Sequence, residues 1–96
     1  MACKLTSPEL SARKETVIAS LKEQIIGKKE LKNGLAFKFL GTDKVLDELT
    51  EFIKTERACC DFFTFALFVS GDKNEVWLKL TGAAGVKEFI TAELGF

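Results

Sequence analysis

Four side chains in this sequence could do chemistry through their type and spacing: Cys3, Glu56, Cys59 and Cys60. Glu56 precedes the adjacent cysteines by three and four positions, so on a helix all three occupy one connected surface. Glu56 also breaks the pattern around it. Advancing about 100° per residue from Val45, it lands about 20° from that reference, in the middle of an apolar stripe made by Val45, Leu49, Phe52 and Ile53. Two readings follow. A carboxylate and thiols that converge in a cleft under a helix end would have their protonation perturbed by loss of water and form a site. Alternatively, Glu56 turns out to solvent or pairs with a lysine of a neighbouring sheet, and the cysteines serve as small core residues.

The chemistry open to such a cluster is narrow. The chain has no His and no Tyr, so imidazole bases, His-ligated zinc and phenolic acids are excluded. Neither a phosphate loop nor a dinucleotide fingerprint nor a C-x-x-C pair occurs. A bridge between Cys59 and Cys60 is disfavoured within a helix, because neighbouring Cα atoms stand about 3.8 Å apart and a disulfide prefers about 4.4 Å or more. A nucleophilic thiolate gains nothing from a helix C-terminus, where the dipole opposes the anion, and Arg57 offsets that only in part. A soft metal or metalloid ion stabilises thiolate directly and is selected by sulfur ligands. On this reading Cys59 and Cys60 are ligands, Glu56 is a ligand or sets their protonation, and Cys3 closes over the site as a third thiol.

The run Glu56-Arg57-Ala58-Cys59-Cys60-Asp61-Phe62-Phe63, with Val76-Trp77-Leu78-Lys79-Leu80-Thr81-Gly82 and Val86-Lys87-Glu88-Phe89 further on, resembles a group of small uncharacterised bacterial proteins with an E-R-x-C-C-x-F motif. Asn33-Gly34 and Cys3-x-Leu5 are similar to the same group, so the resemblance covers nearly the whole chain. That group often carries Pro where this chain has Asp61. The resemblance implies no activity, and the occurrence of some members among metal-resistance genes implies soft-metal handling.

The elements that must position these residues are legible from periodicity and turn chemistry. Ser7-Pro8-Glu9 reads as a helix start, and Leu10, Val17, Ile18, Leu21 and Ile25 recur at helical spacing, predicting a first helix over about 8–26 closed by Gly27. Asn33-Gly34 predicts a type I′ hairpin between a polar strand, 28–32, and the alternating strand 35–40. Thr42 or Asp43 caps a second helix that runs to about Cys60. A second hairpin joins 63–70 to 75–81 around Gly71-Asp72-Lys73-Asn74, and a last helix turns Val86, Phe89, Ile90 and Leu94 inward. The order is αββαββα.

A ββα unit over about 28–60 is followed by a second over about 63–95, and positions 41 apart in the two match: Lys38 with Lys79, Gly41 with Gly82, Val45 with Val86, Leu49 with Ile90, Thr50 with Thr91 and Ile53 with Leu94. The expected product is one α+β domain over 1–96: a four-stranded antiparallel sheet, helices mainly on one face, and an internal pseudo-twofold ββα duplication. The polar strand 28–32 suits an edge, which makes the first and third strands the edges. The third strand, from Phe63 to Val69, is then apolar on both faces and open along one side, a combination that is normally covered or paired. A homodimer that buries this strand and the Trp77 surface is the corresponding expectation.

Composition bounds the remaining classes. Ninety-six residues with 47% hydrophobic content, nine of them Phe, can build a core without disulfide or metal support. Fourteen acidic side chains balance fourteen basic ones, so no net field exists to hold nucleic acid or an anionic membrane. The longest apolar run is far shorter than the ~20 residues of a membrane span, and no signal-peptide region stands at the start. An odd number of cysteines points to free thiols in a reducing compartment, the cytoplasm. The leading functional expectation is a non-enzymatic soft-metal or metalloid binder. A thiol redox protein and a homo-oligomeric assembly module with structural cysteines are its rivals.

Overall fold

The computed structural model describes residues 8–60 and 62–96, with the side chains of Leu10, Ser11 and Cys59 outside the description. The elements follow in the order α1 (Pro8–Gln24), β1 (Gly27–Leu31), β2 (Gly34–Leu40), α2 (Asp43–Cys59), β3 (Thr64–Ser70), β4 (Glu75–Thr81) and α3 (Val86–Leu94). This is the expected α+β arrangement. The predicted cap at Ser7 lies outside the described residues.

All strand pairs are antiparallel, in the spatial order β1-β2-β4-β3, so β1 and β3 are the edges. Alternation along the two central strands decides which face is covered. Leu35, Phe37 and Phe39 of β2 and Val76, Leu78 and Leu80 of β4 are buried. They form one core with Val45, Leu49 and Phe52 of α2, Val86, Ile90 and Leu94 of α3, and Leu21 of α1. Burial of each such aliphatic or aromatic side chain is worth about 1.5–3 kcal/mol. The other face carries Lys38, Trp77, Lys79 and Phe68. In the central pair Phe37 stands opposite Leu78.

Two local expectations are corrected. Gly27 does not close α1, which ends at Gln24; Gly27 opens β1, where the Ile26 N–H already donates to the Lys38 carbonyl at 2.8 Å. The first hairpin is not an Asn33-Gly34 type I′ turn. Gly34 is the first residue of β2, paired with Leu31, and neither Asn33 nor Gly34 has positive φ. Glycine is needed there for close approach instead: a Cβ on Gly34 would lie 1.9 Å from the Leu80 carbonyl oxygen of β4. The second hairpin is as expected, with Asn74 in the left-handed region at φ 51°.

α2 is the element that delivers the site. Thr42 caps it, its Oγ1 accepting from the Val45 N–H at 3.1 Å. At the far end Cys60 is the C-cap, and its N–H donates to the Glu56 carbonyl. The chain beyond is pinned by aromatic contacts: Phe62 packs on Phe89 of α3 with ring centroids 5.0 Å apart, and Phe63 on Phe65 at 5.9 Å. These rings hold the end of α2 against the sheet. No helix among the described residues is long and apolar enough to cross a membrane.

Candidate functional site

α1 lies across α2 in opposed direction, and three polar contacts tie them: Arg13 to Glu51 at 3.0 Å, Lys14 to Glu56 at 3.3 Å, and Gln24 to Glu48 at 3.1 Å. The first and third are partly solvated. The middle one is not, because the Glu56 side chain is 0% exposed and that of Lys14 only 7%. Glu56 thus neither reaches water nor pairs with a sheet lysine; its partner comes from the first helix.

The physical cause is visible in both helices. Glu56 sits in the apolar stripe of α2, and Lys14 occupies the matching position in α1, four residues after Leu10 and four before Ile18. Lys14 and Glu56 are both buried where α1 and α2 meet. Lys14 Nζ also stands 3.8 Å from Glu93 of α3, whose side chain is 43% exposed. It forms part of the wall of a cleft of about 340 Å³ between α1 and α3, lined also by Ile18, Lys22 and Glu93. Glu56 does not line that cleft.

The Lys14–Glu56 contact is an ion pair without hydrogen-bond alignment. Among the described residues no group hydrogen-bonds Lys14 Nζ or either carboxylate oxygen of Glu56. A buried carboxylate with so little compensation is costly to ionise. Burial accordingly raises the Glu56 carboxyl above its ordinary 4.5, while the charge of Lys14 and its contact pull the other way and Glu93 adds to the rise.

Cys60 follows one helical turn after Glu56 and is 0% exposed. It is disulfide-bonded, where the cysteine count had made free thiols the default. The structure therefore brings together Lys14, Glu56 and a half-cystine at the end of α2. Cys59 is the last residue of α2, with its side chain outside the described residues, and Cys3 lies outside them altogether. Among the described residues no group of three or more Cys, Asp or Glu is arranged to hold a metal ion.

Lys14 is the site residue that sequence reasoning missed. Its signal was present, since a lysine interrupting the apolar stripe of α1 mirrors the glutamate interrupting that of α2. Matching the two required knowing that these helices pack together.

No family model matches the chain, and no solved structure matches it. A segment of 64 residues is 39% identical to part of thiamine-phosphate synthase from Chlorobium phaeobacteroides. The match takes in 62% of this chain but 31% of that protein, so the chain spans about a third of the length of this curated relative.

Proposed function

We propose that this chain is a small thiol–disulfide protein whose reducible centre is the Cys60 disulfide, with Glu56 and Lys14 setting the environment in which its sulfur is released and recaptured. One observation carries the reading: a fully buried half-cystine caps α2 four residues after a fully buried acid, whose lysine partner reaches in from α1. This reading requires Cys3, which lies outside the described residues, as the bonded partner. α2 continues through Cys59, and the Cα atoms of adjacent residues stand about 3.8 Å apart, short of the about 4.4 Å or more that a bridge prefers.

The exchange balances as follows. A thiolate of an external dithiol attacks the Cys3 sulfur, the S–S bond breaks, and Cys60 leaves as thiolate and takes up a proton. The second thiol of the reductant, deprotonated, attacks the mixed disulfide and frees Cys3, which is protonated in turn; two electrons pass to the protein and the reductant becomes a disulfide. On this reading attack falls on the sulfur bonded to Cys60, because Cys60 itself is buried. We place the protein in the cytoplasm, where a disulfide is typically transient and redox-active.

A second reading is favoured by the two Glu56 oxygens, which are buried with no hydrogen-bond partner among the described residues. In the reduced chain, Cys60 and Glu56 would offer a soft ion a thiolate and a carboxylate, with Cys59 and Cys3 completing the set. This keeps the E-R-x-C-C-x-F resemblance and its soft-metal implication as part of the proposal. Thiamine-phosphate synthesis is not carried over, because the matched segment is under a third of that enzyme.

The test equilibrates the protein across a series of dithiothreitol redox buffers and counts alkylated cysteines by mass. The expected result is a reversible two-electron transition, a Cys3–Cys60 linked peptide in the oxidised form, and a displaced midpoint in Glu56→Gln. A Cys59–Cys60 linkage, or a midpoint identical in Glu56→Gln and the parent, would overturn the first reading. For the second, arsenite or mercuric ion added to reduced protein should block two or more thiols stoichiometrically, and no loss of thiol reactivity would dispose of it.

A further inference from the structure

We infer that β3 is a self-association edge, through which two copies of this chain join into one continuous eight-stranded antiparallel sheet. The two edges of the sheet are built in opposite ways. β1 is five residues long and exposes Lys28, Lys29 and Glu30, the charged, short edge that prevents strand addition. β3 is seven residues, Thr-Phe-Ala-Leu-Phe-Val-Ser, with no charge, proline or glycine. Its backbone pairs with β4 on one side, and no described strand lies on the other.

Three consecutive side chains of β3 are exposed: Leu67 at 37%, Phe68 at 52% and Val69 at 57%. Leu67 and Val69 are in register with the core residues Leu78 and Val76 but lie beyond the helices' cover. Phe68 is in register with Trp77 on the open face. Apolar surface therefore flanks the open backbone edge both above and below. Lys79 Nζ stands 4.5 Å from the Phe68 ring centroid, so the cation beside this edge rests on the ring.

Symmetry identifies the occupant as a second copy. Two antiparallel β3 strands overlap along all seven residues only when the two-fold passes through Leu67. That register sets Leu67 against Leu67 of the second copy, Phe65 against Val69, Ala66 against Phe68 and Thr64 against Ser70. Partners opposite one another share a face in an antiparallel pair, so apolar meets apolar on both sides and the hydroxyl residues meet at the ends. No charge is desolvated. The same operation on β1 would bring Lys28 and Lys29 into a cluster of like charges, and an extended peptide carrying charges would find no counter-charge on β3.

The experiment is sedimentation velocity on the full chain, from low to several hundred micromolar, with reductant present so that no intermolecular disulfide contributes. The expected result is a shift from the 10.6 kDa monomer toward twice that mass, and at least a tenfold weakening in Leu67→Lys, which sets two lysines directly opposite each other. Circular dichroism checks that this variant folds. Hydrogen exchange on the unaltered chain provides the second measurement: amides of 64–70 should gain protection as concentration rises, while those of β1 do not. A monomer at every concentration, association unchanged in folded Leu67→Lys, or protection gained by β1 and not β3 would each overturn the proposal.

Discussion

Replacing Lys14 with Met removes the charge beside Glu56 and leaves an acid with 0% side-chain exposure under an apolar helix face. Removing one partner of a buried pair costs about 3–5 kcal/mol, because the remaining charge has lost its compensation. Glu56 can lessen that cost by taking a proton, which is worth about 1.4 kcal/mol for each pH unit below its folded pKa. A loss of about 3 kcal/mol near neutral pH is therefore expected, and for a domain of this size it lowers Tm by roughly 15 °C. The double variant Lys14→Met with Glu56→Met replaces the pair by apolar groups of similar length and should regain most of the loss.

The dependence on pH has a definite sign. Burial raises the folded carboxyl of Glu56 above 4.5, so the folded state holds the proton to higher pH than the unfolded chain does. Its cost to stability is absent below about 4.5 and grows as pH rises from there through the folded value. Lys14 moderates the rise, so its loss widens that window. Glu93, the other acid at Lys14, is partly exposed and contributes less. Urea unfolding of the parent, Lys14→Met and the double variant between pH 4.5 and 8 measures this directly. Lys14→Met should lose stability toward high pH more steeply than the parent, and the double variant should lack this component. A Lys14→Met chain within about 1 kcal/mol of the parent at pH 7, or with the same slope as the double variant, would refute the reasoning.

Two further substitutions test the frame that carries the site. Gly34→Ala drives a Cβ to 1.9 Å from the Leu80 carbonyl oxygen and 2.8 Å from the Thr81 Cα. Both are backbone atoms that cannot step aside, so a loss of about 3 kcal/mol is expected in urea unfolding. Thr42→Ala removes the hydroxyl that accepts from the Val45 N–H and should cost about 1 kcal/mol, read as a lower midpoint with an unchanged slope.

Much of this protein is written in local pattern. The alternation of Leu35, Phe37 and Phe39 marks a strand with one buried face, Thr42 before an apolar stripe marks a helix start, and the charged run at Lys28–Glu30 marks a sheet edge. Each of these depends on residues within a few positions of one another, where backbone geometry alone dictates the period. The anomaly of Glu56 was legible for the same reason, since a helix of known pitch must turn it toward the core. Its partner was not, because Lys14 meets Glu56 only through the packing of α1 on α2, a relation between segments 42 positions apart. Gly34 gives the same lesson: the Asn33-Gly34 pair is a turn signal, yet the glycine serves a close approach to β4 that no local pattern describes. Cys60 does so too, since an odd cysteine count argues for free thiols and only its position in the folded chain decides whether its sulfur is bonded. Periodicity determined the elements and which side of each is apolar; tertiary packing decided which charge meets which, because that depends on where the faces come to rest against one another.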